Sequence, residues 1–185
     1  MSGGANTRER LVAGAQEVVY RQGLERTTIA DVAHAADVPA GNVYYHFKTK
    51  DALVKATIDA HAEDIAAMLA SLDRHRTPKA RLRALVRTFA GQREQVARRG
   101  CPHGSLCQEL DKGDGELQEA SRRLIQLPIE WAETQFRLMG RRDARDLAVA
   151  LISAYQGVSL LTNTFNDADI LLREARRLER WIDSL

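Results

Sequence analysis

Between Thr27 and Leu53 the chain reads TTIADVAHAADVPAGNVYYHFKTKDAL, and no other stretch restricts the fold as tightly. Ile29, Val32 and Ala33 give one short apolar helical face, which Thr27 or Thr28 can cap. That helix runs out near Ala35 and Ala36. Asp37 follows, a residue that tolerates left-handed backbone and hydrogen-bonds locally in turns. Val38 points inward, and Pro39 is pre-set for the first position of a new helix. The second helix, Pro39 to Tyr45, has about two turns and cannot survive alone. Two short helices joined by a tight turn and held by neighbours describe a helix-turn-helix.

The exposed residues of the second helix suit DNA. Ala40, Gly41 and Asn42 are small, so the backbone can approach base edges, and Asn42 can hydrogen-bond a base or a phosphate. Tyr44, Tyr45 and His46 can reach sugar and phosphate with polar tips, and Lys48 and Lys50 add charge. Phe47 is the apolar anchor. The stretch resembles the TetR family of transcriptional regulators, whose signature appears as Thr27, Thr28, Val32, Ala33, Ala36, Val38, Gly41, Tyr44, His46, Phe47, Lys50 and Leu53. The match covers about the first third of the chain, and the rest is similar in length and helical character. Two positions depart from the pattern: Asp37 stands where a glycine usually makes the turn, and Pro39 where a serine or threonine usually caps the recognition helix. Losing that hydroxyl removes one potential phosphate contact. The stretch from Gly100 to Leu110 also resembles the drug- and flavonoid-responsive LmrA/YxaF branch.

At 185 residues, 44% hydrophobic and 28% charged, the composition is that of a globular chain of one or two small domains. No apolar run reaches about 18 residues, so no membrane span is expected. The N-terminus lacks an apolar signal core, and a cytoplasmic location is expected. Net charge is only +2, and residues 1–55 hold seven Lys/Arg against six Asp/Glu. Any basic patch must therefore come from placement rather than excess.

In chain order, residues 2–6 read as a flexible tail and Asn6 or Thr7 as a cap. Leu11, Val12, Ala15, Val18 and Val19 form the buried stripe of a first helix that Gly23 ends. Arg8 and Arg10 lie near its exposed start, where they can touch phosphate or simply stay solvated. A longer helix runs from Lys50 to about Arg74, and another from Pro78 to Arg99. A short helix is expected over Pro102–Leu110. Asp114 is a candidate cap for a long helix to about Gly140, which Pro128 should kink. The helix ending near Asn166 is apolar on nearly every side, through Leu147, Val149, Leu151, Ile152, Tyr155, Val158, Leu160, Leu161 and Phe165. Such a helix must be covered all round, which implies a subunit partner. Asp167 or Asp169 begins the last helix. There is no strand pattern and no repeat.

Three kinds of site compete in the second half. Cys101, His103 and Cys107, with Glu109 and Asp111 nearby, contain metal-binding residue types, but the spacing is not that of a known zinc motif and no metal is assigned. A thiol switch is an alternative, since Cys101 precedes a helix start and lies near Arg98 and Arg99. A direct bridge to Cys107 would need the chain to fold back, because six residues of helix span about 9 Å. The plain reading makes Cys107 a small buried hydrophobe. By the resemblance, a small hydrophobic effector binds the helical body. Candidate contacts are Phe89, Leu106, Cys107, Leu110, Trp131, Gln135, Tyr155 and Asn163, each of which can equally fill the core. No phosphate loop, nucleophile elbow or zinc-protease motif is present, so no enzyme and no cofactor are expected.

The sequence thus predicts an all-α chain of about nine helices. Residues 1–50 form a three-helix helix-turn-helix head, and residues 51–185 a helical-bundle body for effector binding and dimerisation. The candidate DNA contacts are Thr27, Thr28, Ala40, Gly41, Asn42, Tyr44, Tyr45, His46 and Lys50. The expected activity is that of a homodimeric repressor on a pseudo-palindromic double-stranded operator, released when the effector shifts the population of states. The alternative is a redox or electrophile sensor acting through Cys101 and Cys107.

Overall fold

A computed structural model describes residues 3–111 and 115–185, with side chains from Thr7 onward. The candidate cap Asp114 lies outside the described residues. The chain is all-α, with ten helices among those residues: α1 (Gly3–Gln22), α2 (Ile29–Ala35), α3 (Ala40–His46), α4 (Lys50–Leu72), α5 (Pro78–Gly91), α6 (Arg93–Arg99), α7 (Pro102–Leu110), α8 (Glu116–Leu138), α9 (Ala144–Thr164) and α10 (Ala168–Ser184). The count exceeds the expected nine because the helix from Pro78 breaks at Gln92. α1 begins at Gly3, ahead of the expected cap, since an uncapped terminal turn has no fixed start. Pro39 is the N-cap of α3 rather than its first helical residue.

The chain divides into two compact units, residues 1–63 with 105–124 and residues 64–104 with 125–185. The first holds the helix-turn-helix and is called here the head-side unit. Leu11, Val12, Ala15, Val32, Ala33, Val43, Phe47 and Leu53 pack into one buried cluster there. α1 crosses α2 at Gly14, where an added Cβ would lie 3.1 Å from the Ala36 amide nitrogen and 3.2 Å from the Val32 carbonyl oxygen. A side chain there would have to push the backbone of α2 back by a few tenths of an ångström. The unit carries ten Lys/Arg against thirteen Asp/Glu.

The second unit, the body, carries seventeen Lys/Arg against twelve Asp/Glu. α10 packs on α5, α6 and α9. Its inward row Leu171, Ala175, Leu178 and Ile182 is buried, as are Leu82, Leu85 and Val86 of α5. Arg83 and Arg87 of α5 reach Glu179 of α10. α9 is long and apolar enough to meet a bare length-and-composition criterion for crossing a membrane. Its buried residues Ala148, Leu151, Ile152, Tyr155 and Val158, and its packing on α6 and α10, are those of a core helix. Its other face is exposed: Leu160 is 63% and Leu161 48% accessible, with Phe165 just beyond at 66%.

Candidate nucleic-acid interface

α2 starts with a complete capping box. The Thr28 hydroxyl accepts the Asp31 amide at 3.1 Å, while the Asp31 carboxylate accepts the Thr28 amide at 2.9 Å and its hydroxyl at 2.7 Å. These bonds, the hydroxyl's first, hold the Asp31 carboxyl below its ordinary value against a small opposing effect of burial. α2 is capped at Ala36, and Asp37 follows with a φ of +52° in the left-handed region. Arg10 braces that turn from α1. Its guanidinium donates to the carbonyls of Ala36 and Asp37, both at 2.6 Å, and lies 3.3 Å from the Asp37 carboxylate. The arginine read as a candidate phosphate contact is thus engaged by the protein's own backbone. The Arg8 guanidinium lies 5.1 Å from the centre of the Phe47 ring.

α3 is held from below by Val43, which is fully buried, and by Phe47 just past its end. The rest of its length faces out except for His46 at its end. Ala40, Gly41 and Asn42 are exposed, Tyr44 is 57% and Tyr45 78% accessible, and His46 is half-buried with its ring edge-on to that of Tyr45 at 5.2 Å. Pro39 supplies no side-chain cap, as expected from the missing hydroxyl. The candidates at the start of the motif are placed differently. Thr27 is buried and its hydroxyl donates to the Gly23 carbonyl at 2.6 Å. Thr28 is exposed, but its hydroxyl belongs to the capping box. Lys50 is exposed and its ammonium donates to the Leu24 carbonyl at 3.1 Å.

Gly41 carries the most information. A Cβ added there would meet nothing within 4 Å. Glycine inside a helix costs about 1 kcal/mol relative to alanine, and no neighbour in the fold requires it. The start of α3 is therefore open to close approach from outside.

Comparison with known proteins agrees. Residues 11–57 match the model of the bacterial regulatory proteins of the tetR family. The chain is 26% identical to the HTH-type transcriptional regulator TtgR of Pseudomonas putida, over 96% of this chain and 89% of that protein. It is 29% identical to the HTH-type transcriptional repressor DhaR of a Mycobacterium species, over 83% and 80%. A TetR transcriptional regulator from Chloroflexus aurantiacus superposes with a TM-score of 0.88 at 27% identity, covering 99% of this chain and 97% of that one. The chain belongs to the TetR family. It is a DNA-binding transcriptional regulator with a helix-turn-helix head and a helical body.

The eight candidate effector contacts of this TetR-family chain fall in two units. Leu106, Cys107 and Leu110 belong to the head-side unit. Leu106 and Leu110 are buried, and the Cys107 thiol donates to the Ser121 carbonyl at 3.2 Å. Leu110 also borders a cleft of about 490 Å³ with Thr49, Ala52, Lys55 and Leu117. In the body, Phe89 and Tyr155 stack at 3.9 Å between ring centres. The polar candidates there already have protein partners: Gln135 accepts from Arg81 at 3.3 Å and Asn163 donates to the Ala97 carbonyl at 3.0 Å. The indole nitrogen of Trp131 is buried with no hydrogen-bond partner among the described residues.

Cys101 is buried, and its sulfur accepts the Gly104 amide at 3.4 Å in the manner of an N-cap for α7. The Gln156 side-chain amide donates to the same sulfur at 3.6 Å. That burial runs against the accessible thiolate a sensor needs. Among the described residues no three His, Cys, Asp or Glu side chains gather as a metal site.

Proposed function

We propose that this regulator represses transcription by binding a pseudo-palindromic operator as a homodimer, and that a small hydrophobic effector in the body releases it. Residues 1–50 act as the reading head and residues 51–185 as the effector-binding and dimerisation part, working in the cytoplasm where the DNA is. The observation that carries the DNA contact is the open, glycine-bearing start of α3 with Tyr44 and Tyr45 beside it. Asn42 and Tyr45 are assigned to base edges, and Tyr44, His46 and Thr28 to the sugar-phosphate backbone.

A second copy of the chain is the occupant proposed for the exposed face of α9. Leu160 and Leu161 are apolar and accessible there, and Gly157 has empty space above it, so another helix can approach closely. Dimerisation would set two recognition helices about 34–36 Å apart, in successive major grooves. An effector that prefers a body state with a different head spacing then weakens operator binding by linkage. Trp131, with an unsatisfied indole donor, is the body residue best suited to orient such a ligand.

Selection of bound sequences from a random DNA pool at stated salt tests this reading. A two-fold symmetric site bound by a dimer is expected. Enrichment of no site at any salt concentration would overturn it.

A further inference from the structure

The turn between α1 and α2 is gripped from both sides by charged groups distant in sequence. Gly23 ends α1 with φ of +83°, and the next two amides converge on one carboxylate oxygen. Oε2 of Glu109, on α7, accepts the Leu24 amide at 2.6 Å and the Glu25 amide at 3.3 Å. Successive backbone amides after a left-handed residue form an anion-binding concavity, and here its occupant is a side chain of the same chain. The carboxylate lies so close that a Cβ on residue 23 would be 3.2 Å from it. On the other side of the same residue, the Leu24 carbonyl accepts from the Lys50 ammonium at 3.1 Å and from the Thr27 amide at 3.2 Å.

From this turn the hydrogen bonds continue into the motif. The Thr27 hydroxyl donates to Gly23, and the Gln22 side-chain amide donates to the Arg26 carbonyl and to the Asp31 carboxylate of the capping box. The start of α2 is therefore tied, bond by bond, to a residue on α7. All of these residues lie in the head-side unit.

We infer that Glu109 is a positioning residue for DNA binding: it imposes the position of α7 on the entrance to the helix-turn-helix. This deepens the function proposed above and rests on it. It gives the head a connection separate from α4. A carboxylate in an amide concavity is directional, so a displacement of α7 must either drag the turn or break the bonds. While the bonds hold, the turn is pre-ordered and that ordering is not charged against DNA binding.

The test compares Glu109→Ala and Glu109→Gln with Glu119→Ala, a control that removes a carboxylate from an exposed pair with Arg122 in the same unit. Two readouts are amide hydrogen exchange and affinity for the selected operator. In Glu109→Ala, exchange at Leu24, Glu25 and the first turn of α2 should rise by about tenfold, with α9 and α10 unchanged. Operator affinity should fall by about tenfold. Glu109→Gln keeps an acceptor oxygen in place and should recover most of both losses. The sign discriminates, because removing a negative charge by itself favours DNA binding, as the control should show. Unchanged exchange at Leu24 and Glu25, or operator affinity equal to or above wild type in Glu109→Ala, would overturn the inference. The exchange measurement needs no DNA. If the wild-type chain selected no operator, the repressor reading would fall, while raised exchange spreading into α2 would still establish the latch and its absence would dismiss it.

Discussion

The chain turns a corner at each end of α2, and the two corners are built in different ways. The entry corner uses glycine: Gly23 reaches φ of +83° without a Cβ penalty, and the space it leaves is filled by the Glu109 carboxylate. The exit corner uses aspartate: Asp37 reaches φ of +52° with a side chain attached, and Arg10 holds the two carbonyls beside it. A left-handed residue other than glycine is strained by roughly 1 kcal/mol, so at the exit corner the brace offsets strain, whereas at the entry corner Glu109 and Lys50 order a turn that glycine already permits. One corner is permitted by backbone freedom and the other is enforced by a charged donor. The backbone of the first should be broken by adding atoms at Gly23, that of the second by removing the Arg10 side chain.

The largest effect is expected at the entry corner. Gly23→Ala adds a Cβ where the backbone is left-handed and a carboxylate stands close, and should cost about 2 kcal/mol by chemical denaturation. Arg10→Ala leaves the Ala36 and Asp37 carbonyls without their donor and should cost about 1.5 kcal/mol. The comparison sharpens in the double variant. Asp37→Gly removes the strain that Arg10 offsets, so Arg10→Ala should cost less in that background, and strict additivity would show the brace to be idle. Thr28→Ala, at neither corner but between the entry turn and α2, should cost about 1 kcal/mol.

That capping box also has a pH signature. The folded Asp31 carboxyl titrates below its ordinary value of 3.8. Its contribution is therefore complete above the unfolded value and is lost as pH falls through the lower, folded one. Thermal melts from about pH 5 downward should show this loss in wild type and a smaller one in Thr28→Ala. The smallest effect, and the one of opposite sign, belongs to Gly41→Ala. It should stabilise the fold by about 0.5–1 kcal/mol, because helical glycine is unfavourable and nothing occupies the space. The same change should weaken operator binding severalfold in a fluorescence titration. Unimpaired binding would remove the argument that DNA is what Gly41 makes room for.

These corners also mark where sequence reasoning reaches its limit. A cap at Thr27 or Thr28, the stop at Gly23, an Asp37 that tolerates left-handed backbone and the anchor Phe47 are all legible in sequence, because each depends on residue chemistry within a turn or two. The braces are not. Arg10 acts on residues 26 and 27 positions away and Glu109 on residues 85 and 84 positions away, and nothing in local pattern announces such partners. Arg10 was read as reaching outward because its position near a helix start is equally suited to phosphate. In sequence, Glu109 stands out only as a neighbour of Cys101, His103 and Cys107. The break at Gln92 is marked only by Gly91 just before it, and the apolar period continues past it into Val96, which masks the signal. At the proposed effector site the eight residues are sound core candidates, yet their division between the two units depends on which helices pack together.

The acid excess of the head-side unit has a consequence for how the regulator is distributed in the cell. Sequence-independent affinity for DNA grows with the number of phosphates a protein neutralises. Arg10 and Lys50 donate to the chain's own carbonyls, and carboxylates outnumber basic groups in the unit, both of which lower that number. Random chromosomal DNA should therefore be a poor reservoir for this protein, and dwell times on it short. Most copies then remain in free solution between operator visits, where operator occupancy follows copy number and effector level directly instead of being buffered by the genome.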